Sequence, residues 1–405
     1  ETSPAAYEIT PGDTWVKAEK SEEDNTLILT VADNDTGAER STVIIVTAGS
    51  ASREITVQQL TRDNRIARYR KLDTFSSMGG GAMSPSGKYV GGFSEQVDEN
   101  DMWYFTPIII DTETGEKHEF GPYPQSLYAL SQANAITDQG LLFISDGQNG
   151  GQIAIDLTGN IFIPEAAGYT NKPEVSQTSS DGKYWVGYIQ AGMFKPLLWT
   201  EGTVAELPMP ALNYRNEEFW AGVLAHGISA NGEIIYGTSW ENDDCGMLYW
   251  KNNGTTVEEP RWVGDDIRRL TPVIVEDWMG EYEYNLVDGC ICTAETTKVS
   301  PSGKWIATTY RKEEVGSDGF IAYVQRPAFY NTETETTTVV EDYGEATGMH
   351  VTDDGIAFIG IGTMFITEGK VYDLNTGTDL GNMADWVAEN YGIIIPGGVI
   401  EYISA

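Results

Sequence analysis

A chain of 405 residues with 61 Asp and Glu against 25 Lys and Arg has a formal net charge of −36, which excludes general attraction to nucleic-acid phosphates or anionic lipid. Its 44 glycines, 21 tyrosines and 11 tryptophans, with frequent Thr, Val and Ile, call for many short strands joined by tight turns. No apolar run reaches the roughly 18 residues that a membrane-spanning helix needs.

The chain opens at Glu1 without a Met, consistent with a removed targeting segment and with a lipid anchor upstream of Glu1. From Tyr7 onward the pattern is short strands: "TLILTV" at Thr26 to Val31, "RSTVIIVTAG" at Arg40 to Gly49 and "REITVQQL" at Arg53 to Leu60. Apolar residues alternate in each, and "DNDTG" (Asp33 to Gly37) and "GSAS" (Gly49 to Ser52) supply the turns. A small β-sandwich over residues 1–61 is the expectation. Trp15, the run containing Asn34 and Arg40, and the closing "ITVQQ" resemble a BACON domain. The resemblance implies an immunoglobulin-like module of secreted and surface proteins of the Bacteroidota, often beside carbohydrate-active domains. A spacer role is favoured over carbohydrate binding for that module itself. The basic stretch "RDNRIARYRK" (Arg62 to Lys71) reads as a linker that docks against acidic neighbours.

Beyond the linker one phrase recurs. "MSPSGKYVGG" (Gly87), "ITDQGLLFIS" (Gly140), "SSDGKYWVGY" (Gly182), "ISANGEIIYG" (Gly232), "VSPSGKWIAT" (Gly303) and "VTDDGIAFIG" (Gly355) align on their turn glycines. Each is an apolar strand ending in Ser or Thr, a tight turn and a second apolar strand, which is a hairpin signal. A second such pair follows each copy, as in "KPLLWTEGTVAELP" from Lys195 and "GMLYWKNNGTTVEEP" from Gly246. Two hairpins per module make a four-stranded sheet, and radial repetition of such sheets at about 40 to 50 residues is the β-propeller pattern. The expected fold is therefore all-β, with the sandwich followed by a propeller over residues 62–405. "ISANGEIIYG" with "GMLYW", and "SSDGKYWVGY" with "KPLLW", resemble HAF-type extracellular repeats. That resemblance implies a propeller and is nearly silent on activity. After a helix at "MADWVAENYG" (Met383 to Gly392) the chain stops at "GVIEYISA", so six blades are favoured and seven stay open.

Chemistry is less legible. There is no G-x-S-x-G, H-E-x-x-H, EF-hand loop or phosphate-cradling loop. "SMGGGAMS", with Gly79 to Gly81, suits a crowded strand near the propeller axis better than a phosphate site. Three cysteines, Cys245, Cys290 and Cys292, form neither a disulfide framework nor a metal-ligand pattern with His118, His226 and His350, and read as small buried hydrophobes. No cofactor is expected. Calcium at Asp98, Glu99 and Asp101 or at Asp243 and Asp244 is the weaker alternative to solvated acid turns.

Binding is better supported, because aromatic residues gather with acids in the expected loops. "DENDMWYF" holds Trp103 and Tyr104, "SWENDDCG" holds Trp240, and "NEEFWAG" holds Trp220. The apparent insertion Pro272 to Gly289 holds Asp277, Trp278 and Tyr282. Trp199 and Trp250 occupy the repeated third-strand position and are expected in the core. The leading expectation is a secreted or surface-anchored protein, extracellular, on the outer-membrane surface or periplasmic, that binds a glycan or a surface protein through propeller loops. The alternatives are a propeller glycoside hydrolase or lyase, which needs carboxylates converging at the axis with one pKa raised, and a structural component of a surface complex.

Overall fold

The computed structural model describes residues 7–10, 12–20, 27–32, 40–49, 51–59, 81–241, 244–277, 280–291, 298–317, 319–362 and 366–391. The chain divides into two compact units.

The small unit holds β1 (Glu8–Thr10), β2 (Val16–Lys20), β3 (Leu27–Val31), β4 (Arg40–Ala48) and β5 (Ala51–Gln59). β1, β4 and β5 form a three-stranded sheet, and β2 and β3 a two-stranded one. Alternation along β4 buries Thr42 and Ile44 while Val43 faces water, and β2 contributes the buried Val16. Two of the residues that carry the BACON resemblance meet here. The Arg40 guanidinium lies 4.3 Å over the Trp15 ring, and the same side chain donates to the Ala32 carbonyl at 2.7 Å. Asn34, the linker Arg62–Lys71, Gly79, Gly80 and the closing "GVIEYISA" lie outside the described residues.

The large unit is a β-propeller built from six antiparallel modules among the described residues. Module one comprises β6 (Ala82–Met83), β7 (Tyr89–Val97), β8 (Trp103–Asp111) and β9 (Lys117–Glu119), with β10 (Tyr123–Pro124) also pairing with β8. Module two is β11 (Leu130–Ile136), β12 (Leu142–Asp146), β13 (Gln152–Ile155) and β14 (Ile161–Phe162). Module three is β15 (Glu174–Thr178), β16 (Tyr184–Ala191), β17 (Met193–Thr200) and β18 (Thr203–Glu206). Module four is β19 (Val223–Ile228), β20 (Ile234–Glu241), β21 (Asp244–Lys251) and β22 (Arg261–Trp262). A hairpin of β23 (Arg269–Asp277) and β24 (Gly280–Ile291) follows. Module five is β25 (Lys298–Val299), β26 (Trp305–Val315), β27 (Ile321–Asn331) and β28 (Thr336–Val339). Module six is β29 (Ala346–Val351), β30 (Ile356–Ile361), β31 (Glu368–Asp373) and β32 (Thr378–Asn382), followed by the helix α1 (Met383–Tyr391). Asn382 caps that helix, its side-chain oxygen accepting from the Ala384 N–H at 2.9 Å.

Each module packs face to face on the next. The first strands run side by side in chain order, β6 against β11, β11 against β15, β15 against β19, β19 against β25 and β25 against β29. One apolar core fills each seam: Phe93 and Ile136 between modules one and two, Phe143 and Trp199 between two and three, Ile235 and Trp250 between three and four, Met247 and Ile306 between four and five, and Phe329 and Ile359 between five and six. Trp199 and Trp250 are buried, as their repeated position requires. The exposed face of module six is covered by α1, whose Met383 and Trp386 pack with Phe358.

The repeated phrase does more than turn the chain. Its glycines adopt φ values of 74° at Gly87 and 84° at Gly303, where a side chain would be strained, and a Cβ on Gly303 would run into Ile234 of module four. The turn residues bond forward to the next module's turn. The Ser86 hydroxyl donates to Asp138 at 2.6 Å, the Gln139 amide to the Ser180 carbonyl at 3.3 Å, and the Ser180 N–H to the Ala230 carbonyl at 2.9 Å. The Asn231 amide donates to the Ser302 carbonyl at 3.0 Å, and the Ser302 hydroxyl to Asp353 at 2.6 Å.

One expectation changes. The stretch Pro272 to Gly289 is not a loop but most of a long hairpin, and its outgoing strand joins two modules. Asp288, Gly289, Cys290 and Ile291 pair with Lys312, Arg311, Tyr310 and Thr309 of β26, and Ile291 also pairs with Gly246 of β21. Modules four and five thereby become one ten-stranded sheet. The β-branched run "TPVIV" and the alternating tyrosines of "EYEYNLV" favour strands, and Gly280 at φ 114° supplies the turn.

Candidate functional site

In an antiparallel module the turn between strands one and two emerges at one end. The loop between strands two and three, and the connection from strand four to the next module, emerge at the other. This alternation gathers the aromatic candidates at the end opposite the Gly87-type turns. Trp103 opens the third strand of module one, Trp220 lies in the connection into module four, and Tyr282 lies in the inserted hairpin. Trp240 and Asp277 are described through their backbone alone, Trp240 opposite Cys245 in β20–β21 and Asp277 opposite Gly280 at the hairpin tip. Trp278 lies outside the described residues.

Trp103 is 43% exposed, Trp220 58% and Tyr282 37%. Large rings left in water at loop positions suit contact with a ligand. The loop that presents Trp220 is pinned rather than loose. Phe194 of module three donates its N–H to the Ala221 carbonyl at 2.7 Å and bridges Gly222, where a Cβ would strike the Phe194 carbonyl. Tyr104 is half-buried and serves its own loop, its hydroxyl 3.5 Å from the Asp98 carboxylate. Asp98 also accepts the N–H groups of Asn100 and Met102, both at 2.9 Å, and these bonds, Met102 first, hold its carboxyl below the usual range.

A buried ionic cluster underlies the inserted hairpin. Arg215 reaches from the connection between modules three and four to Glu313 on β26, with nitrogen to oxygen distances of 3.1 Å on both branches. Arg215 also donates to the Asn285 carbonyl and lies 4.4 Å over the Tyr284 ring. Arg311 stands 3.4 Å from the same carboxylate. Glu313 accepts the Val287 N–H at 2.9 Å, at the point where the ladder between β24 and β26 ends at Asp288 and Lys312. The carboxylate thus replaces a backbone carbonyl where the two strands part. Burial alone would raise the Glu313 pKa, but the hydrogen bonds and charge of Arg215 outweigh it and hold it low.

Arg215, Glu313 and Arg311 carried no functional signal in the sequence. The clue was length: β26 runs 11 residues where the matching strands of modules two and six run five and six. That surplus, "RKEEV", is the piece that meets the insertion.

Every carboxylate among the described residues whose ionisation departs from its ordinary range moves downward, the direction of a hydrogen-bonded or ion-paired acceptor. Among the described residues no group of three His, Cys, Asp or Glu is placed to hold a metal ion. On the first strands, His226 and His350 flank Lys298, and burial followed by the Lys298 charge pushes both imidazoles down to about 4. Cys290 is a buried free thiol in the seam between modules four and five.

Taken together, the large unit is a β-propeller that presents exposed aromatic side chains at one end. Residues 5–60 match the BACON family model, described as "Putative binding domain, N-terminal". No curated protein matches the sequence. Similar solved structures include the β-propeller domain of the Trilobed protease from Pyrococcus furiosus, at 11% identity over 93% of this chain and 97% of that one, with a TM-score of 0.41. An oligogalacturonate lyase from Vibrio parahaemolyticus is 8% identical over 93% of this chain and 86% of that one, TM-score 0.41. TolB from Acinetobacter baumannii is 10% identical over 92% and 78%, TM-score 0.33.

Proposed function

We propose that this chain is a secreted or surface-anchored binding protein that recognises a glycan or a protein through the aromatic end of its propeller. The observation that carries the reading is the gathering of exposed Trp103, Trp220 and Tyr282 at the end opposite the bonded turns. The BACON match over residues 5–60 supports a binding protein, and the acidic surface suits a soluble module. The likeness to BACON and HAF-type repeats supports an extracellular place in a Bacteroidota cell, with a lipid anchor as one means of attachment.

The test is binding of the purified chain to arrays of plant, host and microbial glycans and of surface proteins, with a parallel assay for released sugar ends. Binding without release is expected. Released sugar would make the protein a hydrolase or lyase, and silence in all channels would sink the recognition reading in favour of a structural role.

A further inference from the structure

The innermost strands repeat a polar position. Modules two to six each place one such residue on the first strand: Asn134, Gln177, His226, Lys298 and His350. All five take the strand face turned toward the following module. Asn134 bonds to Ser145, two residues beyond Phe143 of the seam between modules two and three. Gln177 lies opposite Val186 of the next seam, His226 bonds to Thr238 two residues beyond Tyr236 of the one after, and Lys298 lies opposite Ala307 of the last. His350 lies opposite Phe358 on the far face of module six. Because the first strands run side by side around the propeller axis, the five positions ring that axis. Asn134, Gln177, His226 and Lys298 stay partly open to water although their strands are the most interior of the fold, which marks a channel along the axis.

What the ring offers is donors. Gln177 uses its Oε1 to accept the Ile228 N–H at 3.0 Å, and Asn134 its Oδ1 to accept the Ser145 hydroxyl at 2.9 Å. Neither NH2 group has an acceptor among the described residues. Lys298 brings an ammonium whose charge reaches both imidazoles. His350 is 3% exposed, and its Nδ1 has no hydrogen-bond partner among the described residues. A buried polar atom in that state costs free energy that a ligand able to pair with it recovers.

Acids are scarce here. The six first strands hold one carboxylate, Glu174, in a chain with 61, and it accepts the Tyr188 hydroxyl at 2.8 Å. Asp353, whose charge also acts on His350, is engaged by Ser302 at 3.0 and 2.6 Å. Convergent donors with a cation favour a ligand group that only accepts.

We infer that the propeller axis holds a binding site for one carboxylate group of a small ligand, received by the amide donors of Asn134 and Gln177, the Lys298 ammonium and the imidazoles of His226 and His350. The site is separate from the exposed rings of the loop end and does not depend on what they bind. An acidic sugar and a peptide C-terminus share this chemistry, and the test tells them apart.

The full chain is titrated by calorimetry with glucuronate, glucose, N-acetylglycine and N-acetylglycinamide. Binding of at least one acid is expected, with none of its neutral counterpart. Glucuronate alone would identify an acidic sugar as the source, and N-acetylglycine alone a peptide terminus. The chain has three histidines, so imidazole NMR locates the site in the wild type: His226 and His350 should shift on saturation, and His118 on the outer strand β9 should not. Gln177→Glu keeps the oxygen that accepts the Ile228 N–H and replaces the donor end with a second acceptor, so it should abolish binding. Lys298→Met should weaken binding roughly tenfold or more. Lys117→Met, which removes an exposed ammonium paired with Glu119 on β9, should leave it unchanged. Silence from both acids, equal binding of an acid and its neutral counterpart, saturation that moves neither His226 nor His350, or wild-type affinity in Gln177→Glu would each overturn the site.

Discussion

Ser302 grips Asp353 twice, through its backbone N–H at 3.0 Å and its hydroxyl at 2.6 Å, across the boundary between modules five and six. Ser86 makes the same two bonds to Asp138 across the boundary between modules one and two, again at 3.0 and 2.6 Å. The phrase Ser-Pro-Ser-Gly occurs twice because the same joint is made twice.

Asp353→Ala removes both acceptors at once and is expected to cost about 1–3 kcal/mol in urea unfolding, with Ser302→Ala costing less because it leaves the N–H bond in place. Burial raises the Asp353 pKa, but the bonds from Ser302 and Ser300 outweigh this and lower it on balance. Its contribution is therefore present above the ordinary carboxylate pKa and lost as pH falls through the lower folded value. An unfolding free energy for Asp353→Ala that differs from wild type equally at pH 7 and in strong acid would contradict the assignment.

Arg215→Ala leaves the Glu313 carboxylate buried without its principal partner and is expected to cost about 3–5 kcal/mol. Arg215→Met with Glu313→Leu removes both charges and should recover much of that loss. Thermal unfolding of the two single variants and the double variant measures the coupling, and strict additivity would show that the pair does not act as a unit.

The two first-strand histidines predict a loss of stability on acidification. Each is neutral in the folded protein, with its pKa pushed from 6.5 down to about 4, while the unfolded chain protonates near 6.5. Stability is therefore full above about pH 6.5 and falls as pH drops toward 4, by on the order of 1–3 kcal/mol per histidine. His350→Phe should flatten that slope in chemical unfolding between pH 7 and pH 4, and a slope identical to wild type would refute its share.

Trp220→Ala and Trp103→Ala alter side chains that are in part exposed, so their unfolding free energies should fall by less than the roughly 3–5 kcal/mol of a core aromatic truncation. Ligand affinity should fall as well, by roughly tenfold or more for a central aromatic anchor. Titration of the array-selected ligand against each variant, beside a melting curve, separates the two effects.

How much of this was legible in the sequence differs between scaffold and site. The module pattern was open to reading because it depends on neighbours in the chain: a turn glycine, a flanking pair of apolar strands, a buried tryptophan at a fixed offset. Trp199, Trp250 and the helix from Met383 follow that local logic. The Arg215 to Glu313 pair spans 98 residues and leaves no periodic trace, since one arginine and one glutamate among many look alike until the fold brings them together. The insertion misled for a related reason. Its Glu, Trp and Tyr suggested a solvated loop, whereas "EYEYNLV" pairs with "TPVIV" as a hairpin and its continuation from Asp288 to Ile291 pairs with β26, a partner that no local pattern points to. The aromatic end was anticipated as separate loops, and strand alternation is what assigns them to one side.

The ten-stranded sheet has a consequence for how the molecule comes apart. Among the described residues a backbone ladder running through Ile291 ties the fourth module to the fifth, whereas the third and fourth share the isolated bridge of Phe194 with Gly222. Native-state hydrogen exchange should therefore find those two opening as a single cooperative block, slower than the second or third. A chain assembled from repeated parts would then wear a permanent splint at one joint.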